Sequence, residues 1–527
     1  LTAVQGVGFL KADAIARAAG IPVDAPSRLH AGLRHVVSEA TERGSTGVQR
    51  SHLLADAEKL LGVSPALIEA ALADALAEGR SLKAVTHPEW GGCVFARPLL
   101  DAESEIAVAL EGWARQAAPW KMPEGKAETL AAVAAQACGV TLADEQRAAV
   151  VMALTRRVSV LTGGPGTGKT STLKVILEAL RRVRARVVMG APTGKAAKRM
   201  REATGEEAAT IARLTGMGTV GDPPPIAGDI LILDEVSMVD VRMLRDVLRL
   251  MAEGMALLLV GDVDQLPSVG PGRALADIID SGAVPVTRLT QVFRQAAQSA
   301  IVRNAHRINQ GQLPERAQPG SDFFFIAAEP ERIAERVVEL VSRSIPSRFG
   351  MRIDDIQVLS PMRRTPTGAG ALNAAIQKAV NPNPGRAVER GGVRYGVGDR
   401  VLQTVNNYDL GVMNGETGII TDVDHEAGTV QVNVDGVVVR YPFADLDQLD
   451  LAYAMSVHKS QGSQFPAVVM PVTTQHYVML QRPIVYTAVT RAVRLCVLVG
   501  QPEALRMAVA NTRTTPRVTL LRHLLAA

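Results

Sequence analysis

Cysteine is scarce in this chain. Cys93, Cys138 and Cys496 are the only three among 527 residues, and no two of them form a Cys-x-x-Cys pair. That excludes a disulfide framework and a zinc ribbon, and it fits a reducing, cytoplasmic setting. Aromatic residues make up only 3%, so any stacking on bases must rest on few side chains. No apolar run approaches the ~20 residues needed to span a bilayer. The run Met255–Val260 is short and reads as a buried strand, and no secretory signal is visible. The chain also lacks a dominant charge. Fifty-seven Lys and Arg against 53 Asp and Glu leave a net +4, which permits a polyanionic partner without demanding one. What remains is an ordinary globular composition, 47% hydrophobic and 21% charged. At roughly 150 residues per domain this length corresponds to three or four domains.

The texture changes along the chain. Residues 4–15, VQGVGFLKADAI, place a Gly-Val-Gly turn before an Ala-rich helix. This is half of a helix-hairpin-helix, whose turn can aim backbone N–H groups at a phosphate. It predicts a partial hairpin over residues 1–28, and the start at Leu1, inside a motif, reads as a trimmed N-terminus. Over 29–135 we expect a mainly helical region resembling a winged helix. Its helices are Val48–Leu61 and Pro65–Glu78, and its wing is strand-like at Leu82–Pro98. From Thr141 short apolar runs alternate with helical stretches. The runs are Val158–Leu161, Val187–Ala191, Ile230–Leu233 and Leu257–Val260. Such alternation predicts a parallel sheet covered on both faces, here over 136–284. A second such pattern is expected over 285–527, starting at Val286, with runs at Gln357–Leu359, Val468–Met470 and Leu495–Val499. Within it, 390–448 is rich in Val, Gly, Asp and Asn, with turn signals at Asn414-Gly415 and Asp435-Gly436. That predicts a small antiparallel barrel inserted in an α/β domain.

Chemistry concentrates in a few motifs. Residues 163–170, GGPGTGKT, match G-x-x-x-x-G-K-S/T between a strand and a helix. Gly164, Gly166, Thr167, Gly168 and Ser171 would wrap phosphates with backbone N–H groups at a helix N-terminus, with Pro165, which has no N–H, shaping the loop. Lys169 would reach the β- and γ-phosphates of ATP, and Thr170 would offer its hydroxyl to Mg²⁺. In ILILDEVS, residues 230–237, a strand ends in two carboxylates. Asp234 is the metal candidate and Glu235 the general base. Gln265, at a strand end in LVGDVDQLPSVGPG, is placed to report the γ-phosphate. Arg294 in LTQVFRQA and Arg491 in VYTAVTRA come from the second half. A guanidinium supplied across a cleft stabilises charge building on a transferring phosphoryl group. Lys195, Lys198, Arg199 and Arg201 cluster on a short helix suited to phosphate contact. With so few aromatics, backbone-directed and sequence-tolerant binding is favoured over base reading.

The series LTGGPGTGKT, APTGKAAKRM, LDEVS, GDVDQLPSVGPG, LTQVFRQA, VLSPMRRTPTGAGALN, SVHKSQGSQF and VYTAVTRA resembles superfamily 1, class B, DNA helicases. It is most similar to RecD-like helicases with a long N-terminal extension. The resemblance implies two RecA-like domains with ATP and Mg²⁺ in the cleft between them, and an SH3-like barrel in the second. It implies 5′ to 3′ movement of a monomeric motor on single-stranded DNA, unwinding at single-strand/duplex junctions, with no membrane involved. By resemblance, Gln146 reads adenine and Gln464 lies by the ribose. Pro192, Thr193, Lys195, Asn414, Gly415, His458, Lys459 and Ser460 contact DNA. The chain departs from the family at Ala212-Arg213, where a His-Arg pair is usual, and at Gln464, where a Glu is usual. The stretch between Leu214 and Asp229, where a duplex-splitting hairpin is expected, is short and holds Pro223-Pro224-Pro225. Two other readings fit the same residues: an RNA helicase of this superfamily, and an ATP-gated nucleic-acid clamp without strong unwinding.

Overall fold

A computed structural model describes residues 8–217, 223–407, 409–512 and 516–527, leaving aside the side chains of Arg294 and Gln295. Two parallel sheets dominate. The first runs Ala209–Thr210, Val187–Ala191, Ile230–Leu233, Ala256–Gly261, Val158–Gly163, Val286–Leu289 across its width, every neighbouring pair parallel. Its central strands Val158–Gly163 and Ala256–Gly261 are buried at every position. That is why they read as unbroken apolar runs rather than alternating ones. Two cores lie on its faces, one around Val160, Leu231, Leu244 and Ile278, the other around Leu161, Ile176, Leu180 and Ile232.

The second sheet is ordered Phe323–Ala327, Ala492–Gly500, Phe465–Val472, Ile356–Ser360, Ala454–Ser456, again parallel throughout. A five-stranded antiparallel sheet, Arg400–Gln403 through Leu449–Leu451, is inserted between its strands. The barrel's Val423, Val430 and Tyr441 share one core with Val358, Leu372 and Val469 of the second lobe. The barrel is thus anchored rather than tethered. The fold is two RecA-like lobes with an SH3-like insertion.

The N-terminal module carries the expected order. Helices Arg50–Leu61 and Pro65–Glu78 precede a hairpin of Leu82–His87 and Gly91–Ala96, and Gly47–Gln49 pairs onto that hairpin. Each helix stops at a left-handed glycine, Gly62 at φ 64° and Gly79 at φ 60°. Helix Phe9–Ala18 is present. The turn expected to precede it falls mostly outside the described residues, as does 218–222 within the expected hairpin stretch. Among the described residues, no single helix is long and apolar enough to cross a membrane.

The expected boundaries need three corrections. Strand Val286–Leu289 pairs with Val160–Gly163 and belongs to the first sheet, not the second. Helices Arg97–Ala114 and Glu124–Ala137, assigned to the N-terminal region, pack into the two cores of the first sheet through Leu99, Ile106, Ala127 and Ala131. The tail crosses back. Leu521 and Leu525 join the first lobe's core, and the Val518 carbonyl accepts from the Thr46 amide at 2.9 Å. A parallel sheet's edge strand and an amphipathic helix look the same in sequence whichever neighbour buries them.

Candidate functional site

The first sheet presents its strand ends to the second lobe, and the sequence-predicted residues gather there. After Val158–Gly163 the chain turns through Gly166 (φ 74°) and Gly168 (φ 84°) into helix Lys169–Arg182. Both glycines sit in left-handed backbone, and a Cβ on Gly166 would stand 2.7 Å from Ala296. Only glycine lets the loop lie this close to the other lobe. Lys169 Nζ donates to the Gly163 carbonyl and, at 3.2 Å, to that of Gly164. Thr167 Oγ1 donates to the Gly164 carbonyl at 2.9 Å, bracing the loop.

A cavity of about 720 Å³ opens over this loop. Gly164, Pro165, Gly166, Gly168, Lys169, Thr170, Asp234, Glu235 and Gln265 line one wall, with Gln464 and Arg491 on the other. Burial and the neighbouring Glu235 carboxylate raise the Asp234 carboxyl above the usual range. Glu235 adopts φ 53°, a left-handed conformation rare outside glycine, and its amide donates to Asp234 Oδ1 at 2.8 Å. Two carboxylates crowded in this way favour a cation between them and a phosphate. Among the described residues, no group of three or more His, Cys, Asp or Glu is arranged to hold a metal.

Arg491 reaches this cavity from the end of helix Arg482–Thr490. Its side chain is 3% exposed. It donates to Gln265 Oε1 at 2.6 Å and to the Ser463 carbonyl at 3.2 Å. Its Nη1 lies 4.0 Å from Glu235 Oε1. Burial pulls its pKa below the ordinary value, and Glu235 partly offsets that. Gln265 in turn donates to Asp262 Oδ2 at 3.0 Å. Helix Arg294–Gln298 starts at Arg294, but that side chain lies outside the described residues.

Several expected residues are elsewhere. Gln146, 2% exposed, directs its Nε2 to the Thr167 and Gly168 carbonyls at 3.4 and 3.5 Å. It supports the phosphate loop from behind. Gln146, Thr167 and Ser171 are not in the cavity wall as described. Ser460 is fully buried, and its hydroxyl donates to the Val457 carbonyl at 2.7 Å. That hydroxyl is thus engaged within its own segment. The remaining track candidates gather at a three-way junction. Pro192 and Thr193 precede helix Gly194–Thr204, and Thr193 Oγ1 caps it by accepting from the Ala196 amide at 3.2 Å. Lys195 Nζ donates to Thr417 Oγ1 of the barrel at 3.2 Å, and burial lowers its pKa to about 8. Asn414 is exposed, and Gly415 (φ 92°) forms the turn beside it. His458 and Lys459 sit on the facing segment, with Lys459 Nζ 3.2 Å from Asp450.

Sequence reasoning missed three contributors and gave a fourth, Arg199, a different role. His306 Nε2 lies 3.0 Å from the Pro165 carbonyl, and Tyr486 donates to Asp262 Oδ2 at 2.9 Å. Thr487 Oγ1 accepts from the Leu266 amide at 3.0 Å. Arg199 lines the cavity. Tyr486 and Thr487 lie inside the quoted VYTAVTRA motif and were legible as part of it. A lone histidine in helix Ala300–Asn309 carried no signal.

Four family models match parts of the chain. The model for the AAA domain matches residues 141–323, and the ATP-dependent RecD-like DNA helicase SH3 domain matches 372–434. The UvrD-like helicase C-terminal domain matches 451–499, and the ATP-dependent RecD2 DNA helicase HHH domain matches 1–47. The ATP-dependent RecD2 DNA helicase of Deinococcus radiodurans is 34% identical, over all of this chain and 73% of its own length. The chain belongs to the RecD-like DNA helicase family. The RecBCD enzyme subunit RecD of Mycolicibacterium smegmatis, another RecD protein, is 31% identical over 72% of this chain and 74% of its own. Among solved structures, a Bacteroides Pif1 bound to ssDNA is 20% identical. It covers 68% of this chain and 92% of its own, with a TM-score of 0.41. The RecD-like fold described above rests on its own sheets.

Proposed function

We propose that this ATP-dependent DNA helicase of the RecD-like family moves 5′ to 3′ along single-stranded DNA and separates duplex at junctions. In this reading ATP is hydrolysed between the lobes by a monomeric motor. The observation that carries it is the chain Arg491–Gln265 at 2.6 Å with Glu235 alongside at 4.0 Å. A second-lobe guanidinium thus stands over the first lobe's phosphate loop and acidic pair.

Each group then has a task. Lys169 leaves its loop carbonyls for the β- and γ-phosphates. Thr170 and Asp234 are the residues that would hold Mg²⁺, which when bound screens the phosphate charge. Glu235 accepts a proton from the attacking water, whose oxygen bonds to the γ-phosphorus as the bond to the β–γ bridging oxygen breaks. Arg491, and Arg294 by its motif, stabilise the charge that develops on the transferring oxygens. Gln265 bonds both Arg491 and Asp262, so loss of the γ-phosphate is felt at the lobe contact. Gln146 holds the loop, and Gln464 at the cavity rim lies by the sugar. Pro192, Thr193, Lys195, Asn414, Gly415, His458 and Lys459 form the DNA track. In domain terms, an N-terminal module to about residue 96 rides on a first lobe that extends through Leu289 and regains 516–527.

Turnover and strand displacement on tailed duplexes test this reading. DNA-stimulated ATPase and displacement of a 5′-tailed but not a 3′-tailed duplex are expected. Stimulated turnover without displacement on either tail would favour the clamp. Stimulation by poly-U but not poly-dT would favour RNA.

A further inference from the structure

Helix Gly194–Thr204 carries Lys195, Lys198 and Arg199 at three- and four-residue spacing from Lys195. The first two reach the barrel, Lys195 at Thr417 and Lys198 at Asp435 Oδ2, the latter at 2.8 Å. Arg199 turns the other way, into the ATP cavity. Its Nη1 donates to the Gly462 carbonyl at 3.1 Å and lies 3.7 Å from Glu235 Oε1. That is the same oxygen that Arg491 approaches at 4.0 Å. The carboxylate assigned as general base therefore sits between two guanidinium groups, one from each lobe.

The second contact gives this arrangement a direction. Gly462 closes the segment carrying His458 and Lys459. Its φ of 70° and the 2.8 Å from an added Cβ to Thr193 Oγ1 leave room for glycine alone. The segment is thus seated directly on the first lobe, and its last carbonyl is held by Arg199. Both contacts fall to one nitrogen, Nη1, which a planar, pre-organised guanidinium holds in place better than a flexible stem holds an ammonium. Movement of the segment must carry Arg199 with it or release it. Either event alters the surroundings of Glu235, whose backbone already occupies a left-handed conformation.

We propose that Arg199 is a positioning residue that transmits the state of the polynucleotide segment 458–462 to the general base Glu235. This rests on the helicase reading above and names the residue through which DNA stimulates hydrolysis. It also removes Arg199 from the phosphate-contacting cluster in which its sequence neighbours placed it.

The test is steady-state ATPase of the full chain with and without poly-dT, for wild type, Arg199→Met and Arg199→Lys, with poly-dT affinity measured separately. Coupling between sites typically spans roughly 5- to 150-fold, so the Met variant should lose stimulation by about tenfold. Its KM for ATP and its poly-dT affinity should stay within about twofold of wild type, the pattern of a lost rate effect rather than lost binding. The Lys variant keeps the charge without the planar group that fixes it, and should not regain the stimulation. Wild-type stimulation in the Met variant would overturn the proposal, as would a matching loss of poly-dT binding, which would make Arg199 a DNA contact. A wild-type enzyme that poly-dT does not stimulate would instead overturn the helicase reading on which the proposal stands.

Discussion

Glu103 offers a stability prediction whose size follows from its surroundings. It lies on helix Arg97–Ala114 and is fully buried. Thr46 Oγ1 donates to it at 3.1 Å, and the Leu520 amide donates to both of its oxygens at 3.2 Å. One carboxyl thus joins the N-terminal module, the first lobe and the returning tail. Burial raises its pKa from 4.5 to about 8, the Leu520 bond opposes this, and Asp277 adds to it. The folded state therefore keeps a proton that the unfolded chain releases above pH 4.5. Stability from this group is present below that pH and is lost as pH rises toward 8. Each unit in the window costs about 1.4 kcal/mol, so two units, from pH 6 to 8, cost on the order of 2 kcal/mol. Glu103→Gln preserves the shape and cannot ionise. Urea unfolding at pH 6, 7 and 8 should show wild type weakening by that amount and the variant holding nearly level. Equal slopes for the two proteins would refute the assignment of a proton to Glu103.

Lys169→Ala should abolish ATPase while leaving the fold intact by circular dichroism; normal turnover would place the phosphates elsewhere. Lys195→Ala combined with Lys198→Ala frees the barrel from helix Gly194–Thr204. It should weaken poly-dT binding and reduce its salt slope by roughly one to two, about 0.7 per phosphate contact on a single strand. An unchanged slope would leave those lysines as barrel anchors only. Asp234→Asn should raise the Mg²⁺ concentration needed for half-maximal turnover, and an unaltered requirement would remove it from the metal site.

The motifs were legible because their chemistry is local. GGPGTGKT needs its own glycines and the helix that follows it, and ILILDEVS needs only a strand that ends in acids. The inserted barrel was legible through its turns, since Asp435-Gly436 adopts positive φ at both residues. What escaped was pairing at a distance. Nothing in VTRL at 286–289 says which sheet takes it, and nothing near Val518 points to Thr46. Ser460 and Arg199 show the same limit at the scale of side chains. Each lies in a motif that promises contact with a polyanion. The fold instead aims one at the Val457 carbonyl and the other at Glu235.

Single-turnover hydrolysis by Arg491→Ala, alongside its ATP affinity, tests the convergence of the two lobes on one triphosphate. A guanidinium acting on the transferring phosphoryl group contributes roughly 10³- to 10⁵-fold in rate, so the variant should bind ATP nearly as wild type does and cleave it slower by about that factor. Cleavage at the wild-type rate, or a loss of binding that matches the loss of rate, would contradict the account.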